Sequence, residues 1–241
     1  MISLYSLAEF IASFIETFIC CKFCGIFQKN AVLKNHRIML FSFLSATIAI
    51  FLNNVQLFSF LSTVVGILVF TIIQKILYEE RLGNIIALVM VYIVAISGID
   101  FFVVQVFSVM MKVDKQYLLN EQSVFRILCI IISKVFLILF FGIIEKSHKA
   151  RKELPRKHIV IMCIIAAFSL ASNFILIRLS IDVREVVVEA LSLGYFVLSI
   201  VMVVSIFYLF LVLTDNYEQK KTLALLDLQN RMVVKSQNEA E

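Results

Sequence analysis

Ile85-Ile86-Ala87-Leu88-Val89-Met90-Val91-Tyr92-Ile93-Val94-Ala95-Ile96-Ser97-Gly98-Ile99-Asp100-Phe101-Phe102-Val103-Val104-Gln105-Val106-Phe107 is the stretch on which the fold turns. It holds one charge, Asp100, and polar and apolar positions do not alternate along it. A strand of a membrane barrel would alternate. A helix needs about 20 apolar residues to cross about 30 Å of hydrocarbon, and this run supplies them. Inside lipid every backbone N–H and C=O must be satisfied within the segment, so a helix is the expected element.

As a segment it spans 85–108, and similar runs lie on both sides, at 4–27, 38–55, 57–78, 124–144, 159–178 and 188–213. The chain is 61% hydrophobic and 16% charged, against about 45–50% and about 25% in soluble domains. Pro155 is the one proline and there are six glycines, so no flexible linker divides the runs. The expected fold is all-α: a polytopic transmembrane bundle over 1–213, with a cytoplasmic helix over 214–241. Asn53 and Asn54 separate the second run from the third, which reads as a tight helical hairpin. Seven spans follow, or six if one arm of that hairpin lies in the interface.

The basic residues orient the bundle. Lys22, Lys29, Lys34, Arg37, Lys75, Arg81, Lys146, Lys149, Arg151, Lys152, Arg156, Lys157, Lys220, Lys221, Arg231 and Lys235 fall on one side of a seven-span arrangement. Lys112, Lys115, Arg126, Arg178 and Arg184 fall on the other, and Lys134 lies inside a span. The positive-inside rule then places the N-terminus outside and the C-terminus in the cytoplasm of a multi-pass cell-membrane protein. The net charge of +5 is absorbed by these loops, so nucleic acid is not an expected partner. Membrane lipid is. No cleavable signal peptide is expected, because Met1-Ile2-Ser3-Leu4-Tyr5 carries no basic residue.

A charge inside a span is costly and marks a candidate site. Glu9 and Glu16 are seven apart, on one face of the first span. Glu16 and Lys134 are about equally deep when counted from the outer ends of their spans, so they are expected to form a structural ion pair. Glu9 and Asp100, nearer the outer face, are expected to contact ligand. The outer ends of spans four to seven add Lys112, Asp114, Lys115, Asp182 and Arg184 to that candidate set.

Other chemistry is mostly excluded. Cys20, Cys21 and Cys24 contain one C-x-x-C, but zinc needs about four ligands and no second pair exists. Reduced cysteines acting as small apolar residues are the expected state. A Cys24–His36 dyad would be needed for a membrane protease, and nothing else supports one. No P-loop or HExxH is present. Neither a catalytic residue, a metal nor a cofactor is expected.

From Asp215 the composition turns hydrophilic but stays rich in helix formers. Leu223, Leu226, Asn230 and Val233 form one short a/d stripe, which reads as a dimeric coiled coil with Asn at an a position. An amphipathic helix on the inner leaflet is the other reading. No capping glycine follows, which reads either as a truncated chain or as one that has lost its next domain.

The order of features resembles the membrane sensor region of Agr-type quorum-sensing histidine kinases. It rests on Leu7-Ala8-Glu9-Phe10-Ile11-Ala12-Ser13-Phe14-Ile15-Glu16-Thr17-Phe18-Ile19, then Phe23-Cys24-Gly25-Ile26-Phe27 and a basic loop, the short hairpin, and a final span entering a Leu/Gln/Lys/Glu helix. The resemblance implies a homodimeric receptor for a small, extracellular cyclic peptide, signalling through its last helix to a phosphoacceptor domain and a GHKL-type ATPase. The sequence has no His-Asp pair in its tail and no ATP-binding box, so the chain itself is not expected to be an enzyme. The alternative is a small polytopic transporter subunit or immunity-type protein, although no inverted repeat is visible.

Overall fold

The computed structural model describes residues 4–27, 35–54, 59–78, 80–111, 118, 123–147, 160–161, 163–172, 175, 201, 205, 208, 212, 216–217 and 219–233. Five long helices dominate the described residues: α1 (Leu4–Ile26), α2 (Asn35–Asn54), α3 (Ser59–Leu77), α4 (Leu82–Met111) and α5 (Val124–Ser147). No strand occurs among the described residues. Among those residues two helices, Leu82–Met111 and Val124–Lys146, are long and apolar enough to cross a membrane. Shorter apolar helices include Asn35–Phe51, Thr63–Leu77 and Cys163–Ser172. Most of the seventh apolar run, 188–213, lies outside the described residues.

Local chemistry sets the helix ends. Ser123 caps α5: its hydroxyl accepts the Arg126 N–H at 3.2 Å and its carbonyl accepts the Ile127 N–H at 3.3 Å. At the end of α1 the Phe27 N–H reaches back to the Cys24 carbonyl, tightening the last turn. α2 ends at Asn54, at the break read from Asn53 and Asn54.

α4 is the central helix. Ala87–Val89 and Val91–Ala95 are buried without interruption, which requires neighbours all round. α1 and α5 lie against it, and α3 packs on its other flank. The aromatic pairs Phe23–Tyr92 and Phe70–Tyr92, with centroids 5.6 and 6.4 Å apart, join α4 to α1 and α3. Phe107 meets Phe125, and Phe102 meets Phe136, so α4 and α5 are antiparallel.

α2 and α5 expose large apolar side chains that a soluble bundle would bury. α2 buries Ile38, Ser42, Ser45 and Ala46 and exposes Met39, Leu40, Phe43 and Phe51. α5 buries the stripe Cys129, Ser133, Lys134 and Leu137 and exposes Ile131, Val135, Ile138 and Leu139. Small residues at the buried seam let backbones approach closely. There the Thr17 and Ser45 hydroxyls hydrogen-bond between α1 and α2 at 3.0 Å.

Candidate functional site

A cavity of about 540 Å³ opens between α1, α2, α3, α4 and α5. That is within the range of about 300–1,000 Å³ typical of small-molecule sites. Its walls combine apolar residues with Ser and Thr hydroxyls, and five charged side chains enter it: Glu9 and Glu16 from α1, Asp100 from α4, and Arg126 and Lys134 from α5.

The charges form two groups. In the outer one, Arg126 Nη2 lies 3.2 Å from Glu9 Oε1. The Tyr5 hydroxyl donates to the same oxygen at 2.5 Å, and the Arg126 guanidinium covers the Tyr5 ring at 4.8 Å from its centroid. In the inner group the Lys134 ammonium contacts Glu16 Oε1 and also lies 3.1 and 3.4 Å from Asp100 Oδ1 and Oδ2. The Tyr92 hydroxyl donates to the Glu16 main-chain carbonyl at 2.6 Å, which holds α1 in register with α4 beside this group. Glu9 and Glu16 are seven apart, and Arg126 and Lys134 eight apart, so the two groups also hold α1 and α5 parallel.

Asp100 sits deeper than the sequence alone places it. The apolar run ends at 108, whereas α4 continues to Met111. Asp100 is therefore about 16 Å from its helix end and Lys134 about 15 Å from the start of α5, at 1.5 Å per residue. Equal depth brings Asp100 to Lys134, and the expected two-member pair is a three-member cluster. Glu9, Glu16, Asp100 and Lys134 thus converge on one chamber. Lys112, Asp114, Lys115, Asp182 and Arg184 lie outside the described residues.

The sequence reading counts Arg126 only among the outer basic residues. Arg126 nevertheless sits at a depth close to that of Glu9, which is five residues into α1 while Arg126 is two into α5. Cys129 lines the chamber, whereas the α1 cysteines lie elsewhere, in the core between α1 and α3. Cys20, Cys21 and Cys24 are fully buried, and the Gln74 amide donates to Cys21 Sγ at 3.3 Å. His36 is exposed, whereas Cys24 is fully buried. Among the described residues no group of three or more His, Cys, Asp or Glu could hold a metal ion.

Lys22, the third charge of α1, donates to Asn35 Oδ1 at 2.9 Å, away from the chamber. Comparison with protein-family models, with curated proteins and with solved structures finds no match for this chain.

Proposed function

We propose that the chain is the membrane sensor module of a peptide-responsive two-component histidine kinase. It is a bundle of six or seven spans, N-terminus outside and C-terminus cytoplasmic, that binds an extracellular cyclic peptide and signals through its last helix as a homodimer. The observation that carries this reading is the chamber, with apolar walls and charges contributed by three different helices. A ligand that alters those contacts favours one arrangement of α1, α4 and α5 over another, which is what a receptor needs.

Two further features support it. The apolar residues exposed on α2 and α5 suit contact with lipid tails, while Ser42, Ser45, Ser133 and Lys134 of the same helices are buried. The tail is helical over 219–233, with Leu223, Leu226 and Val233 exposed on it and a 3.0 Å Asp227–Arg231 pair one turn apart. A second copy of the chain would cover those leucines.

The test is a fusion of residues 1–241, in register, to a heterologous histidine-kinase core. One to four alanines inserted after Asp215 should make kinase output oscillate with a period near 3.6 insertions, since each adds about 100° of helix phase. A flat response would rule out transmission by a rigid helix. A small transporter subunit is the second reading, favoured by the position of Glu16, Asp100 and Lys134 near mid-helix, where transporters place coupling sites. Solute uptake into proteoliposomes that is lost in Lys134→Met would select it.

A further inference from the structure

The inner charge group is unbalanced. Two carboxylates, Glu16 and Asp100, share one ammonium, Lys134. In the outer group Glu9 is paired with Arg126. Among the described residues the five charged side chains of the chamber therefore sum to −1, in surroundings that are largely apolar, where an uncompensated charge is costly.

The geometry shows which carboxylate is less well compensated. Lys134 is closer to Glu16 than to Asp100, and its side chain is only 7% exposed, so it is held in the wall. The Asp100 side chain is 43% exposed and faces the chamber. Among the described residues its ionic contacts are all with Lys134. Ser97, one turn before it on α4, also lines the chamber, as do Ile93, Ile96, Phe101 and Val104.

We propose that the chamber accepts an organic cation, an alkylammonium or guanidinium group of its ligand, on the Asp100 carboxylate. The cation supplies the missing charge through charge-assisted hydrogen bonds to Asp100. Its carbon chain lies against the isoleucines, valine and phenylalanine of α4. Once Asp100 has its own partner, Lys134 is left to Glu16. The α4–α5 bridge then loosens while the α1–α5 bridge tightens, so occupancy is converted into a change in helix packing. The inference rests on the receptor reading only in taking the chamber as a binding site.

The test uses the full chain in lipid nanodiscs, with hexylammonium as probe and hexanoate and sodium chloride as controls. Hexylammonium should raise the unfolding temperature of the wild type, and neither control should. Asp100→Asn should weaken the apparent Kd by about tenfold or more, equivalent to about 1.4 kcal/mol. Glu16→Gln should weaken it too, because Lys134 then belongs to Asp100 alone and the surplus charge is gone. That second variant keeps the test intact if Asp100→Asn fails to fold.

An equal shift in wild type and both variants, or an equal shift with hexanoate, would overturn the proposal. An Asp100-dependent shift with sodium chloride would overturn the assignment to an organic cation. Binding is read directly, so its failure leaves the kinase-fusion result untouched, and the reverse also holds.

Discussion

Gly25 offers the sharpest test of the packing between α1 and α3. A Cβ at this position would lie 2.6 Å from the Tyr78 hydroxyl oxygen and 3.5 Å from the ring carbon behind it. Tyr78 is 2% exposed, and its hydroxyl donates to the Cys21 carbonyl at 2.7 Å, so the ring has no open side to move toward. Gly25→Ala therefore adds about 1–3 kcal/mol of overpacking and endangers a hydrogen bond worth about 0.5–1.5 kcal/mol. The gain in helix propensity, at most about 1 kcal/mol, offsets only part of this. The variant should be less stable by about 1–3 kcal/mol.

Tyr78→Phe changes the sign. On its own it costs about 1 kcal/mol for the lost hydrogen bond. In that background the nearest atom to the methyl added at position 25 is the ring at 3.5 Å, an ordinary contact, so adding Gly25→Ala should be neutral or stabilising. The double-mutant cycle should show a coupling of about 2 kcal/mol. The assay is reversible unfolding in mixed detergent micelles, followed by circular dichroism. Additive losses would mean that Gly25 and Tyr78 do not share this contact.

Three other outcomes are expected. Lys134→Met leaves two carboxylates without a cation and should lower stability by about 3–5 kcal/mol, whereas Glu16→Gln leaves Lys134 with Asp100 and should cost clearly less; equal losses of folded yield in detergent would contradict the shared-lysine arrangement. Gly66 lines the chamber and an added Cβ there meets nothing within 4 Å, so Gly66→Leu should fold with wild-type stability yet abolish the hexylammonium shift, and retained binding would mean that the chamber is not the site. Val124 and Lys146 mark opposite ends of α5 and are both exposed, so in a Cys163→Ala background a membrane-impermeant thiol reagent should label Val124→Cys from outside and leave Lys146→Cys unlabelled; equal labelling would refute the orientation read from the basic loops.

Much of the helical framework is legible in the apolar runs. The ends of α1, α2, α3 and the start of α5 lie within a few residues of the segment limits, because a long apolar run interrupted by Asn53-Asn54 or preceded by Ser123 leaves little choice of boundary. The α4 limits are less legible. Leu82–Asn84 contains Gly83 and Asn84, both poor helix formers, and the polar Ser108 hides the apolar Val109–Met111 behind it, so composition does not say that the helix continues through them. That small extension moves Asp100 to the depth of Lys134. Arg126 is hard to single out for a related reason: a charge at a helix start looks like a solvated loop residue until its partner on another helix is placed beside it.

The residue pattern is enough to say that the described residues are helical, where α1 to α5 run to within a few residues, and that Glu9, Glu16, Asp100 and Lys134 are the charges to explain. Hydrocarbon-length runs without alternation specify a helix and its approximate length through backbone hydrogen bonding alone. Which charges meet, that one lysine serves two carboxylates, and that the surplus faces a cavity emerge only once the helices are packed. Those facts depend on how each helix is rotated about its axis. α4 is apolar around most of its surface, and Ser97, Asp100 and Gln105 are too few to fix its rotation by pattern alone. The choice is made by contacts from distant parts of the chain: the Tyr92 hydroxyl on the Glu16 carbonyl, Phe23 against Tyr92, and Asp100 against Lys134.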